Sequence, residues 1–299
     1  MNTLALYSST VLIWGSTWLA IKYQLGHVAP EVSIAYRFAL AAILLIAYAT
    51  LSGIGMRFKI RDHAGMAMQG LFLFSANYFV FYLATEDITT GLIAVVFSSI
   101  VVTNIIFGAL FFRTPVNARV VMGATLGMTG LAIIFWPEIN TFDLSAGGTR
   151  GLALCLAGTV LASLGNMASV ANQKRNLPVL QTNAYGMTYG AIIMFMLALL
   201  RGQEFNFDSS PEYIGSLVYL ALFGSVLAFG CYLTLLGRIG AGKAAYATVL
   251  FPVIALALST VFEDYQFSRE AFIGMLLVLS GNALVLAKSD KAKTGEAPA

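Results

Sequence analysis

The chain has 299 residues; 59% are apolar, only 10% are charged, and the formal net charge is +3. A soluble domain carries about 25% charged and about 45–50% apolar residues, so this excess is too large for a buried core and has to face lipid. No nucleic-acid partner is expected, and nothing calls for a metal or cofactor. His27 and His63 lie in polar connections without zinc spacing, and Cys155 and Cys231 read as small hydrophobes within apolar runs.

A helix needs about 20 apolar residues to cross the hydrocarbon core. In chain order such spans are expected at Thr3–Ile21, Glu31–Leu51, Ala64–Ala84, Thr90–Phe112 and Ala118–Trp136, then at Gly151–Gln173, Gln181–Leu200, Glu212–Leu236, Gly242–Phe262 and Arg269–Ala287. No basic segment precedes the first run, which continues to Ile21 and reads as a retained span rather than a cleaved signal. Gly91–Gly130 and Gly242–Gly281 align without a gap at a shift of 151, which puts Gly123 on Gly274 and Gly130 on Gly281. The expected fold class is an all-α integral membrane protein of ten transmembrane helices. One five-helix repeat covers 1–137, a connecting loop 138–150, a second repeat 151–288 and a disordered cytoplasmic tail 289–299.

With the N-terminus inside, the inner connections hold twelve of the seventeen basic residues, among them Arg57, Lys59, Arg61, Arg113, Arg119, Lys174, Arg175, Arg238 and Lys243. That excess puts both termini in the cytoplasm. Five spans per repeat then turn the second copy upside down relative to the first, an arrangement on which many secondary transporters are built. No Asp or Glu lies in the middle of a span, which favours facilitated movement over ion pumping.

Neutral polar and aromatic groups carry the site. The first span has Trp14–Gly15–Ser16–Thr17–Trp18, and the third has Ser75, Tyr78 and Tyr82 on one face. Ser98, Ser99, Thr103 and Asn104 mark the fourth span, Asn166, Ser169 and Gln173 the sixth, and Ser225, Phe229 and Tyr232 the eighth, with Tyr232 matching Tyr82 at a shift of 150. The ninth span opens on Gly240–Lys243 and carries Tyr246, Thr248 and Pro252. The substrate-binding candidates are Trp14, Ser16, Tyr78, Tyr82, Ser98, Asn166, Tyr232, Lys243 and Tyr246. Each also has a structural reading: hydroxyls and amides bond across helix interfaces, and Tyr or Trp near span ends form interfacial belts. Lys243 either meets a substrate carboxylate or simply adds to the inner positive charge. For Arg37, within the second span, structural anchoring is preferred over pairing with a substrate anion. The glycines of the fifth and tenth spans predict close packing there. Pro252 matches Val101, so a bend at that level is expected in one copy only.

Trp14–Gly15–Ser16, Arg37–Phe38 and the run Glu263–Gly281, together with ten spans in two fives, resemble the EamA family of the drug/metabolite transporter superfamily over residues 3–288. Arg113 stands where members commonly have Glu. The resemblance implies a bacterial inner-membrane protein, monomeric, with a central cavity walled by spans 1, 3, 4, 6, 8 and 9 and backed by 5 and 10. It also implies alternating access and export of a small-molecule substrate, aromatic and other hydrophobic amino acids first. Another small metabolite, a toxic amphiphile or proton-coupled antiport are the alternatives. A membrane enzyme would need a nucleophile, metal cluster or paired acids at depth, and a scaffold would need a long inner domain; neither is present in the sequence.

Overall fold

The computed structural model describes residues 1–24, 26, 28–143, 145–262 and 268–286. His27, the turn at Glu263–Asp264, Tyr265 and the tail with Lys288, Lys291 and Lys293 lie outside the described residues.

Among the described residues there is no strand. The long helices are α1 (Thr3–Lys22), α2 (Pro30–Leu51), α3 (Ile60–Ala84), α4 (Thr90–Phe112), α5 (Ala118–Ile134), α6 (Ala146–Lys174), α7 (Val179–Leu200), α8 (Pro211–Ile239), α9 (Ala241–Phe262) and α10 (Arg269–Leu286). Eight of them, α2–α4 and α6–α10, are long and apolar enough to cross a membrane; α5 is apolar but has 17 residues. Their ends follow local chemistry. The Asn2 side chain accepts from Ala5 N–H at 2.8 Å to start α1, and Pro30 and Pro211 open α2 and α8. Gly240, at φ +86°, ends α8 so sharply that α9 begins at the next residue.

The connection expected over 138–150 is shorter than anticipated. A five-residue helix covers Trp136–Asn140, and α6 begins at Ala146 because the Ser145 hydroxyl caps it, accepting from Gly148 N–H. The small residues after Ser145, read as a linker, are the first turn of a 29-residue helix.

Side-chain packing follows a repeated plan. Helix α1 packs on α8 and α9, and α2 on α8; likewise α6 packs on α3 and α4, and α7 on α3. Exchanging each helix for the one five places on maps one set onto the other. Two further extensive contacts, α2 with α7 and α5 with α10, map onto themselves. Along α5 and α10 the matched glycines face each other. A methyl group on Gly130 would lie 2.5 Å from the Gly274 carbonyl oxygen, and one on Gly123 would lie 2.8 Å from that of Gly281. The two backbones touch because neither has a side chain there, as the sequence predicted.

Two further features come in pairs. Both α3 and α8 contain a π-turn, at Phe72–Ala76 and Leu220–Leu227, where the hydrogen-bond ladder is widened by one residue. Each end of the molecule also has a buried side-chain clamp. Gln24, just past α1, donates to Tyr213 O at 3.0 Å and Ser216 Oγ at 2.5 Å in the first turns of α8, and Ser33 of α2 donates to Gln24 Oε1 at 3.1 Å. Asn172, near the end of α6, donates to Gly65 O and Gln69 Oε1, both at 3.1 Å, while Gln69 donates to Asn183 of α7 at 2.9 Å. Gln173, beside the second clamp, bonds Leu233 O near the far end of α8, so α1 and α6 run in opposite directions along that helix.

Pro252 lies inside α9. Helix α9 runs unbroken through Pro252, whereas α4 is interrupted at Ser99, whose N–H bonds three residues back to Val96 O at 3.1 Å.

Candidate functional site

A cavity of 520 Å³ opens at one end of the bundle, among the last turns of α4, α6 and α8 and the first turns of α5 and α9. Lys174 and Lys243 stand at its rim and Asn104 on its wall. The Lys174 ammonium lies 4.2 Å from the centre of the Phe112 ring, so its charge is held over an aromatic face.

From Asn104 a buried polar network leads inward. Asn104 Oδ1 accepts from Ser163 Oγ at 2.6 Å and Asn166 Nδ2 at 3.4 Å, and its own amide donates to Ala241 O at 3.3 Å. The Asn166 amide also donates to the Tyr232 hydroxyl at 3.0 Å. Asn166 Oδ1 is buried and has no hydrogen-bond partner among the described residues, a state that costs about 1–3 kcal/mol unless a ligand or water completes it.

Beyond Tyr232 the rings form a continuous ladder. Trp14 lies 4.9 Å from Tyr232 and 5.1 Å from Phe229; Phe229 meets Phe74 at 5.0 Å, Phe74 meets Phe38 at 5.4 Å, and Phe38 meets Tyr78 at 5.1 Å. Ring pairs at these separations are favourable beyond their buried area and close the core without a polar gap. The Trp14 indole N–H donates to Gly224 O at 3.2 Å, a carbonyl within the π-turn of α8. Ser16 and the Tyr219 hydroxyl share a hydrogen bond of 2.6 Å. At the far end of the ladder sits Arg37. Its Nε–H donates to Ser225 Oγ at 2.9 Å, and its guanidinium carbon lies 5.3 Å from the Tyr78 ring centre and 5.4 Å from that of Phe38.

Six of the sequence-predicted residues thus gather on one path: Asn166 and Tyr232 in the polar network, Trp14, Tyr78 and Tyr82 against the aromatic core, and Ser16 beside it. Lys243 stands at the cavity rim. Two others are employed elsewhere. Tyr246 is fully buried between α5 and α10, where its hydroxyl donates to Gly123 O at 3.0 Å and Val278 O at 3.3 Å. Ser98 is fully buried and donates to Val95 O of its own helix at 2.6 Å. In both residues the hydroxyl donates to backbone carbonyls, which gives it a structural employment in this arrangement. Asn104, Ser163, Tyr219 and Ser225 were not selected from sequence. Asn104 and Ser225 were visible there as intramembrane polar groups, whereas Ser163 and Tyr219 gave no signal apart from their neighbours in space. Among the described residues no three His, Cys, Asp or Glu side chains are grouped as metal ligands.

A bundle of long apolar helices with a polar, ring-lined interior defines a membrane protein of the transporter class. The model of the EamA-like transporter family matches residues 2–136 and 149–287. The chain belongs to that family. It is 25% identical over 278 residues to the inner membrane transporter YedA of Escherichia coli K12, covering 92% of this chain and 87% of YedA. It is 23% identical to PagO of Salmonella typhimurium LT2, covering 94% and 91%, and 23% identical to a probable amino-acid metabolite efflux pump of E. coli K12, covering 91% and 90%. One solved crystal structure superposes with a TM-score of 0.78 over 95% of this chain and 96% of the other at 18% identity, which bears on the fold.

Proposed function

We propose that the protein is an inner-membrane exporter of small metabolites, aromatic and other hydrophobic amino acids first, working by facilitated alternating access between two inverted five-helix halves. The observation that carries this reading is the continuous path from an open cavity, through the Asn104–Asn166–Tyr232 network, to a ladder of rings. Apolar and aromatic bodies gain contact area along the rings, and the amides supply donors and acceptors for a polar head. The exchangeable helix contacts, the paired π-turns, the opposed directions of α1 and α6 and the family match in two stretches support ten spans arranged as inverted copies. The name of the E. coli efflux pump agrees with the substrate class.

The cavity rim carries Lys174 and Lys243, and the bias of basic residues puts that rim in the cytoplasm. The cavity then faces inward, with the Gln24–Ser33–Tyr213 clamp riveting the outer end of α1, α2 and α8. Transport turns the halves about the self-mapping pairs α2 with α7 and α5 with α10, in a monomer surrounded by lipid. The described carboxylates stand at helix ends or in connections, which suits movement down the substrate's own gradient.

Purified protein in liposomes, loaded with unlabelled substrate and assayed for counterflow of labelled tryptophan, phenylalanine, leucine, purines and cationic dyes, tests the substrate class. Aromatic amino acids should move fastest, and Tyr78→Ala and Tyr232→Ala should each slow them at least severalfold. Movement of dyes or purines alone would overturn the amino-acid assignment. Uptake driven by an imposed proton gradient without a substrate gradient would overturn the facilitative one.

A further inference from the structure

Arg37 is a cation with 9% of its surface exposed, set among neutral groups. Its partners are the Ser225 hydroxyl and the Tyr78 ring, with the Phe38 ring alongside. No carboxylate among the described residues pairs with it. Glu31, two turns earlier on α2, is bound to Arg201 at 2.9 Å. A guanidinium offers five N–H donors in a planar fork that fits a carboxylate in two parallel bonds. A charge held at this depth without its counter-ion is the usual mark of a functional group in a membrane protein.

The repeat supplies an independent test of the structural alternative. Helices α2 and α7 have 22 residues each and align at a shift of 149, so Arg37 corresponds to Gly186; α3 and α8 align at a shift of 150, so Gly224 corresponds to Phe74 and Ser225 to Ser75. A methyl group on Gly186 would lie 3.0 Å from the Phe74 ring, so that ring occupies the space beside the position of the cation. Ser75 turns back onto its own π-turn, donating to Gly70 O at 3.1 Å and Leu71 O at 2.8 Å. The same helix corner is therefore built in one copy from an aromatic ring and a self-satisfied serine. In the other copy glycine leaves room: a methyl on Gly224 would lie 3.1 Å from an Arg37 terminal nitrogen. The fold does not need a cation at this corner, yet the second copy's Gly224 and Ser225 are shaped around one.

We propose that Arg37 binds the carboxylate of the transported molecule, so the protein selects carboxylate-bearing aromatic and apolar metabolites over amines and neutral amphiphiles. This rests on the transporter reading above. The carboxylate takes the outer edge of the guanidinium, and the organic body stacks on the ladder between Tyr78 and Trp14. In the present arrangement the ladder separates the cavity from Arg37, so the substrate reaches the cation after displacing the Trp14 ring. Ser225 holds the fork in orientation through Nε.

Counterflow in liposomes of the full chain, with tryptophan, indole-3-propionate and tryptamine as competitors, tests this. In the wild type both carboxylates should compete at least tenfold better than tryptamine. Arg37→Met, which keeps most of the side-chain length without the charge, should fold and should abolish that ratio chiefly by weakening the carboxylates; Arg37→Lys should retain part of it. Substrate-induced thermal stabilisation gives the same comparison without transport: tryptophan should stabilise the wild type and not Arg37→Met. A wild type that prefers tryptamine, or an Arg37→Met protein that keeps the wild-type ratio, overturns the proposal while leaving transport intact. So does an Arg37→Met protein that fails to fold where Arg37→Lys folds, since that is the behaviour of an anchor. A wild type that moves none of these compounds, nor any of the wider panel, overturns both readings.

Discussion

The corner where α2 meets α8 and the corner where α7 meets α3 are built to one plan and finished differently. Both contain a π-turn with a serine at the same position, Ser225 and Ser75. In one, Ser225 accepts from Arg37 beside Gly224; in the other, Ser75 bonds its own helix while the Phe74 ring lies against Gly186. The π-turn belongs to the scaffold, because it is present in both. The cation is present at one corner only, and on that difference its proposed role in binding rests. Where two copies of a unit share packing, the differences between them mark chemistry more sharply than the features of either copy alone.

The largest effect should come from forcing the apolar corner to imitate the polar one. Gly186→Arg would bury a charge without a partner where the Phe74 ring occupies the space, and should destabilise by about 3–5 kcal/mol, the scale for an uncompensated buried charge. Thermal unfolding in detergent measures it; a mild shift would mean the two corners are not distinguished by room. The reverse exchange is gentler. Gly224→Ala adds a methyl 3.1 Å from the Arg37 fork and should cost about 1–3 kcal/mol as overpacking, with a loss of carboxylate preference in the counterflow assay.

The two clamps are the next comparison. Gln24→Ala and Asn172→Ala each leave buried partners unsatisfied at opposite ends, and each should cost about 1–3 kcal/mol in thermal unfolding. Gln24→Ala should in addition raise labelling of a cysteine introduced near Tyr219, since it loosens the end away from the cavity. Equal labelling in the two variants would remove the case that the ends are in different states. The smallest effect is expected for the two tyrosines of similar appearance in sequence. Tyr246→Phe should cost about 1 kcal/mol of stability and leave transport unchanged, whereas Tyr232→Phe should slow transport by releasing the Asn166 amide.

Much of the architecture was legible beforehand. The helices begin and end within a few residues of the hydropathy pattern, and the glycines at matched positions bring α5 and α10 into backbone contact. The exceptions have local causes. Ser145 caps a helix inside what reads as a linker, and α4 rather than proline-containing α9 is interrupted, because the carbonyl freed by a proline need not break a helix supported by its neighbours. The candidate path was half legible. Trp14, Tyr78, Asn166 and Tyr232 stood out as polar or aromatic groups within apolar spans, while Ser163 and Tyr219 become meaningful only beside Asn104 and Ser16.

Sequence by itself determined a lipid-facing chain, the positions of its helices, a duplication and the small-residue seams, since each follows from composition and spacing along one segment. Only the tertiary structure decided that Tyr246 braces two backbones while Tyr232 meets Asn166, that Arg37 rests on Ser225 and Tyr78, and that in the other copy the Phe74 ring lies against Gly186 instead. The reason is geometric. Which atom a buried hydroxyl or guanidinium meets depends on the rotation and depth of helices from distant parts of the chain, and a shift of one residue along either would exchange one partner for another.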